Sequence, residues 1–268
     1  MPRLRHGAQN SPAKLRLPDN LMFYFVFGPI IFVILRVLLR VLGRLTSSGE
    51  GNVPATGPVI YCPNHLSDSD PPTVFVTLPR RAWFVAKEEL LTIPVVGWVL
   101  AHGHVIFIKR DSADRKALRQ CEQVLRRGEP LVIFPEGRCA QQGRLLPVQP
   151  GAAMLALRTN TPIVPVGLQH TNQVLPYGKL RPRFSRNPVI VRFGSPIDPT
   201  DFRHLPKAMA LSAITQRLEA ALSDLSGMPA AEQNAPPRNT ARRRHPITSA
   251  ETSGIRNDTI REAADSGD

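Results

Sequence analysis

The sequence has few cysteines. Only three occur among 268 residues, at Cys62, Cys121 and Cys139, and no two of them have the spacing of paired metal ligands. The small number of cysteines argues against a fold stabilised by disulfides and against a cysteine-rich metal site. It is consistent with a reducing compartment.

Acidic residues are also scarce. Asp and Glu number 21 against 34 Lys and Arg, which gives a formal net charge of +13. The whole excess lies in residues 1–226, because residues 227–268 contain six arginines and six acidic residues. A surface this basic predicts an anionic partner: nucleic acid, an anionic membrane or a phosphorylated substrate. The chain contains no recognised nucleic-acid-binding motif, so we expect no nucleic-acid partner.

The N-terminal apolar run is short for a membrane span. Residues 21–35 contain no charge, but a span needs about 20 apolar residues. Gly28-Pro29 in its middle predicts a kink or a break. Beyond it Arg36, Arg40 and Arg44 recur every four residues, which places them along one side of an apolar helix. Such a helix suits the headgroup boundary of a bilayer.

Three interpretations of this N-terminal segment remain open. They are a signal peptide, a full transmembrane span, and a kinked helix pair that is re-entrant or interfacial over residues 21–46. About twenty residues precede the apolar run and no clear cleavage site follows it, which disfavours the signal peptide, and a full span would require Arg36 to snorkel. We favour the helix pair. The basic segment 1–20 favours a cytoplasmic, anionic leaflet, so we expect a protein on the cytoplasmic face of a membrane.

The rest of the chain alternates between strand and helix patterns. Short apolar runs rich in β-branched residues predict strands at 58–62, 82–86, 105–108, 131–134, 163–168 and 189–193, and amphipathic patterns predict helices at 113–127 and 207–225. We therefore expect a single α/β domain over 47–226 with a largely parallel central sheet flanked by helices. The Pro-, Ser- and Arg-rich segment 227–268 is predicted to be a disordered tail.

A histidine and an aspartate follow the first of these strands. Asp70 lies five residues after His65, and the pair sits where ligands bind in parallel sheets, beyond the carboxyl end of a strand. An aspartate that accepts from one ring nitrogen leaves the other nitrogen as a general base. That base could take its proton from a substrate hydroxyl. The plainer alternative is a structural histidine that caps a turn.

Further charged residues follow the later strands. Lys109 and Arg110 come directly after the strand 105–108, and a Pro-Glu-Gly turn with Glu136 and Gly137 follows the strand 131–134. Gly137 permits a tight turn there, and Arg138 comes next.

These motifs together resemble the glycerophosphate/lysophospholipid acyltransferase family over roughly residues 51–196. The family's Asn-His-x4-Asp motif corresponds to Asn64, His65 and Asp70, and its second and fourth motifs to residues 104–110 and 164–167. The third motif, Phe-Pro-Glu-Gly-Thr-Arg-Ser, corresponds to residues 134–140 with only the first four kept. There Arg138 occupies the threonine position, Cys139 the arginine position and Ala140 the serine position.

The resemblance implies a role for each candidate residue. His65 is the expected general base and Asp70 its orienting partner, while Glu136 and Gly137 shape the acceptor site. The expected contacts to the acceptor phosphate are cationic: Lys87, Lys109, Arg110 and Arg138. The family mechanism needs no acyl-cysteine, so no nucleophilic role is expected for Cys139.

The resemblance also implies a reaction. We expect an O-acyltransferase that moves a fatty acyl group from acyl-CoA or acyl-ACP to a lysophospholipid hydroxyl, in particular that of 1-acyl-sn-glycerol-3-phosphate. The expected partners are membrane lipid and the acyl-CoA or acyl carrier protein donor, without a cofactor or metal. The altered third motif leaves two alternatives open: a different lyso-lipid acceptor, or a non-catalytic basic membrane adaptor.

Overall fold

A seven-stranded sheet organises the part of the chain that the computed structural model describes, namely residues 26–109, 114–140, 143–179 and 181–230. The chain divides into two units, Met1–Gln233 and Asn234–Asp268, and all described residues belong to the first. The strands are β1 Thr46–Ser48, β2 Ile60–Pro63, β3 Trp83–Lys87, β4 Val105–Ile108, β5 Leu131–Val132, β6 Ile163–Gln169 and β7 Ile190–Phe193.

The sheet is almost entirely parallel. Its strand order is β1-β7-β6-β2-β5-β3-β4, and within it only β6 and β7 pair in antiparallel fashion. The predicted α/β architecture is therefore confirmed. The carboxyl ends of β2, β5, β3 and β4 lie side by side in that order, which brings together the loops that follow these strands.

Helices cover both faces of the sheet. They are α1 Gly28–Gly43, α2 Asp70–Thr77, α3 Pro94–His102, α4 Arg115–Arg126, α5 Gly151–Thr159, α6 Thr171–Val174 and α7 Lys207–Ser226. Short 3-10 helices span Glu50–Asn52, Glu88–Thr92 and Pro199–Phe202.

Alternating residues of the strands point into two separate hydrophobic cores, one on each face of the sheet. In β2, Ile60 packs with residues of α4, α5 and α7, whereas the next residue, Tyr61, packs with Val74 of α2 on the opposite face. This two-residue period is that of a strand with side chains on alternate faces. Both residues are fully buried, which explains why β2 reads as a continuous apolar run.

The strand predictions erred mainly at their ends. β5 stops at Val132 rather than at residue 134, because the chain leaves the sheet toward the Pro135-Glu136-Gly137 turn. β1 was not predicted: its three exposed residues, Thr-Ser-Ser, have no apolar alternation and pair only along the sheet edge with β7.

The Gly28-Pro29 pair forms the first turn of α1, where proline loses no helical hydrogen bond. Residues 21–25 of the predicted helix pair lie outside the described residues, so that pair stays a prediction. With 16 residues, α1 measures about 24 Å at 1.5 Å per residue, against a hydrocarbon core of about 30 Å. No helix in the described ranges is long and apolar enough to cross a bilayer.

Candidate active site

The candidate site begins where β2 ends. Asn64 is fully buried, and its side chain bridges to β6: Nδ2 donates to the carbonyl of Leu168 at 3.2 Å, and Oδ1 accepts from the Leu168 N–H at 2.6 Å. This clamp fixes the chain one residue before His65. It accounts for an asparagine at this position of the motif, because an amide side chain can both donate and accept.

The His65 and Asp70 side chains are in direct contact. The distance from His65 Nδ1 to Asp70 Oδ2 is 2.8 Å. The same oxygen accepts from the backbone N–H groups of Leu66 and Ser67, at 2.5 and 2.7 Å. Three donors converging on one oxygen fit a carboxylate acceptor, so Nδ1 carries the donated proton. The tautomer that results leaves Nε2 with its lone pair.

The local sequence explains this contact. Asp70 is the first residue of α2, and Pro71 and Pro72 follow it in the first helical turn, where they cost no hydrogen bond. The loop between His65 and α2 therefore closes on the Asp70 carboxylate, which accepts hydrogen bonds from the loop's backbone N–H groups. Asp70 is fully buried, whereas the His65 side chain is 17 % exposed, so the ring reaches the surface and its partner does not.

Glu136 holds the backbone of the histidine loop. One carboxyl oxygen accepts from the N–H of His65 at 2.8 Å and the other from the N–H of Leu146 at 2.7 Å. The His65 carbonyl in turn accepts from the N–H of Ala140 at 2.6 Å. The turn after β5 is thus tied to His65 from two sides. The positive φ of +68° at Gly137 fits the glycine expected there.

Burial raises the pKa of Glu136 to about 7, although the hydrogen bonds from Leu146 and His65 oppose this shift. Because the folded pKa exceeds the ordinary value of 4.5, folding takes up a proton between these two values. The free energy of unfolding is therefore expected to fall as pH rises from about 4.5 to 7, by an amount on the order of 1–3 kcal/mol.

Urea unfolding of the wild type and of Glu136→Gln, measured side by side at several pH values, isolates this contribution. The difference in unfolding free energy, wild type minus variant, is expected to decrease with rising pH across this window. A difference that increases with pH would mean that Glu136 is ionised throughout.

Cys139 lies against the His65 ring. Its sulfur is 3.5 Å from Nδ1 and 3.4 Å from Nε2. An atom this close and nearly equidistant from both nitrogens lies over the ring face, since an in-plane position would collide with Cε1. It is therefore aligned with the lone pair of neither nitrogen. Burial also raises the pKa of the Cys139 thiol to about 12.

A thiol over the ring face, with a raised pKa, is poorly placed to be a nucleophile. Cys139→Ala is therefore expected to keep kcat within about threefold of the wild type in an acyl-transfer assay, since the hydroxyl-activating nitrogen is untouched. Loss of activity by several orders of magnitude, together with an acyl adduct on Cys139 detected by mass spectrometry, would contradict this.

The predicted cationic residues occupy different parts of the site. Lys87 ends β3, is half-buried, and its charge acts on the Cys139 thiol. Lys109 is exposed directly after β4, three strands and thus about 14 Å from β2. Arg138 is exposed beside Gly137, whereas Cys139 is the residue of that turn that faces the histidine. Arg110 lies outside the described residues.

The contacts of Phe134 and Leu146 with the histidine loop were not predicted. The Phe134 ring centroid is 4.5 Å from that of His65, and the Leu146 N–H binds Glu136. Phe134 belongs to the third motif, but nothing in the sequence signals that it packs against a residue 69 positions earlier.

A model of the Acyltransferase family matches residues 44–169, the segment that contains β2 to β5 and all the site residues above. Residues 44–169 are therefore similar to the Acyltransferase family. The chain is similar to the chloroplastic 1-acyl-sn-glycerol-3-phosphate acyltransferase BAT2 of Brassica napus, with 32% identity over 133 residues, 48% of this chain and 38% of that protein. It thus spans about two fifths of that relative's length.

Two further similarities cover more of the chain. A 1-acyl-sn-glycerol-3-phosphate acyltransferase of Bacillus subtilis is 28% identical over 193 residues, 71% of this chain and 92% of the relative. The crystal structure of the 1-acyl-sn-glycerophosphate acyltransferase PlsC from Thermotoga maritima superposes with a TM-score of 0.56 at 24% identity, covering 77% of this chain and 91% of that chain. The likeness to this crystal structure supports the α/β fold described above.

Proposed function

We propose that this protein transfers a fatty acyl group from acyl-CoA or acyl-ACP to the free hydroxyl of a lysophospholipid, with 1-acyl-sn-glycerol-3-phosphate as acceptor and phosphatidate as product. The 2.8 Å contact between His65 Nδ1 and Asp70 Oδ2, at the open edge of a domain similar to the Acyltransferase family, is the observation that carries this proposal.

The chemistry requires one general base and no enzyme nucleophile. Nε2 of His65 takes the proton of the acceptor hydroxyl while the oxygen attacks the thioester carbonyl. The tetrahedral intermediate then collapses, the carbon–sulfur bond breaks, and the leaving thiolate receives the proton from the imidazolium. The Asp70 carboxylate stabilises the imidazolium that exists between the two steps.

The acceptor's phosphate is assigned to the cations along the same edge of the sheet. The charge of Lys87 acts on the Cys139 thiol beside the histidine, which makes Lys87 the first candidate, and Lys109, Arg110 and Arg138 are proposed to complete the cradle. Glu136 and Gly137 hold the turn that forms its floor and do not bind the phosphate themselves, since both Glu136 oxygens already accept backbone N–H groups.

We also propose that the protein works on the cytoplasmic face of a membrane. A long-chain lysolipid stays in the bilayer, because each buried methylene contributes about 0.8 kcal/mol to its partitioning. The net charge of +13 favours an anionic leaflet, and α1 exposes apolar side chains.

Turnover of a panel of acceptors tests the proposed substrate. The purified full chain is given oleoyl-CoA or oleoyl-ACP as donor, and vesicles that contain lysophosphatidate, lysophosphatidylethanolamine, lysophosphatidylglycerol or a lyso-aminolipid. We expect kcat/KM to be highest with lysophosphatidate. Cys139 at the expected arginine position favours the alternative of a different acceptor, and a higher kcat/KM for any other lysolipid would establish that alternative. No turnover with any acceptor and either donor would overturn the proposal.

Lys87→Gln is expected to raise the KM for lysophosphatidate about tenfold with a smaller change in kcat, because a lost charge-assisted hydrogen bond weakens binding by about 1.5–3 kcal/mol. Lys116→Gln, on the exposed side of α4, is the matched control and should leave KM unchanged. Equal KM values for the two variants would remove Lys87 from the phosphate site.

A further inference from the structure

A cavity lies at the other end of α2 from the catalytic pair. It measures about 250 Å³ and is lined by residues of α1, of the β1 region and of the end of α2, among them Arg36, Arg40, Ser47, Glu50 and Thr77. Asp70 begins α2 and Thr77 ends it, so about 12 Å of helix separates this cavity from the His65 partner.

The cavity holds charges of both signs that do not neutralise each other. The Arg40 guanidinium and the Glu50 carboxylate form no hydrogen bond or ion pair with any residue in the described ranges. Arg36 uses one nitrogen, Nη1, to donate to the carbonyl of Val76 at 3.3 Å, and its guanidinium carbon lies 5.7 Å from the centre of the Phe32 ring. The remaining N–H donors of both arginines are available to a ligand.

The cavity borders an apolar surface of α1. At 100° per residue, Arg36 and Arg40 lie between the buried side of the helix and its exposed side. The helix contains no acidic residue. Its exposed side consists of large apolar side chains, namely Ile30, Val33, Ile34, Val37, Leu38 and Val41.

This apolar surface extends onto α3. The Phe27 and Trp98 rings meet edge to face at 5.7 Å, and Val95, Val96 and Trp98 are exposed. A contiguous apolar area flanked by arginines has the composition of a surface that lies in the headgroup boundary of a bilayer.

We propose that the cavity binds the headgroup of a membrane phospholipid of the phosphatidylethanolamine type, distinct from the acyl acceptor. The phosphate accepts from Arg36 and Arg40, the ammonium group donates to Glu50, and the acyl chains continue along the exposed side of α1. A headgroup with only negative charge would leave Glu50 unpaired and repelled, and a choline headgroup has no N–H to donate. Only a headgroup with both a phosphate and an N–H cation satisfies every charged group of the cavity.

Binding to vesicles without acyl donor tests this site independently of turnover. The full chain is titrated with vesicles of phosphatidylcholine alone, or mixed with phosphatidylethanolamine or with phosphatidylglycerol. The ethanolamine mixture is as neutral as phosphatidylcholine, so general attraction to a charged surface cannot produce a preference for it. We expect at least tenfold tighter binding to the ethanolamine mixture than to phosphatidylcholine alone.

Three variants test whether the preference for phosphatidylethanolamine arises at this cavity. Glu50→Gln and the double variant Arg36→Gln/Arg40→Gln are each expected to abolish it, and Ser47→Tyr should do the same by filling the cavity without a change of charge. The control Arg119→Gln/Arg217→Gln removes the same charge from exposed positions of α4 and α7 and should keep the preference.

Three results would overturn the proposal. One is a wild type that binds the ethanolamine mixture no better than phosphatidylcholine alone. Another is a preference that survives in both Glu50→Gln and Ser47→Tyr. The third is a Glu50→Gln variant that binds every mixture more tightly to the same extent, because the arginines would then act only through general attraction to the bilayer surface.

Discussion

His65→Ala is expected to lower kcat for acyl transfer by about 10²- to 10⁴-fold, with little change in the KM for lysophosphatidate, because it removes the general base but leaves the phosphate cradle intact. The variant should remain folded. The His65 side chain is partly exposed, and the backbone bonds from its N–H to Glu136 and from the Ala140 N–H to its carbonyl do not depend on the ring. Product formation from oleoyl-CoA and vesicle-bound lysophosphatidate measures the effect.

His204→Ala is the matched control for this variant, since His204 is exposed and lies in the loop before α7. It should retain the wild-type rate within about twofold, the range of an exposed substitution remote from the site. If His65→Ala retained the wild-type rate as well, a different group would have to deprotonate the hydroxyl, and the proposed mechanism would be wrong.

Asp70→Asn is expected to affect both rate and stability. An amide has one acceptor oxygen and can donate to the ring, which favours the tautomer with its proton on Nε2 and so removes the base. We expect kcat to fall by about 10²- to 10⁴-fold. The oxygen Oδ2 also accepts from the buried N–H groups of Leu66 and Ser67, so a loss of about 1–3 kcal/mol in unfolding free energy is expected as well.

Asp68→Asn is the control for the aspartate. Asp68 lies two residues earlier and is exposed, and within the described residues its carboxylate accepts only from the N–H of Gly178, at 2.9 Å. Its substitution should change kcat and the unfolding free energy little. The account of Asp70 would fail if Asp70→Asn lost stability but kept its rate, because the residue would then support the loop without orienting the ring.

The parts of the fold that the sequence predicted correctly are those with strong local patterns. The strand at 105–108 has the bounds of β4, and the helix predicted at 113–127 is α4, whose buried side follows its helical periodicity. The helices α2, α3, α5 and α6 were missed, because prolines lie in the first turns of α2 and α3, α5 has only nine residues between loops, and α6 has only four. Their formation depends on packing against the sheet more than on local preference.

The sequence likewise predicted only those features of the candidate site that have a local pattern. The His65–Asp70 contact spans five residues of one loop, so their spacing was enough to predict it. The role of Glu136 and the position of Cys139 depend on β2 and β5 being neighbours in the sheet, which no local pattern encodes. The resemblance implied that Arg138 contacts the phosphate, although Arg138 occupies the threonine position of the motif. In the fold it is exposed beside the turn, and its neighbour Cys139 covers the histidine ring.

The most direct test concerns the proton on the imidazole of residue 65. Nitrogen-15 NMR of the histidine-labelled full chain, assigned by comparison with the His65→Ala variant, distinguishes the two ring nitrogens. For the neutral imidazole, the account predicts a proton on Nδ1 and a bare lone pair on Nε2, with this tautomer lost in Asp70→Asn. A spectrum with the proton on Nε2, unaffected by the aspartate substitution, would contradict it.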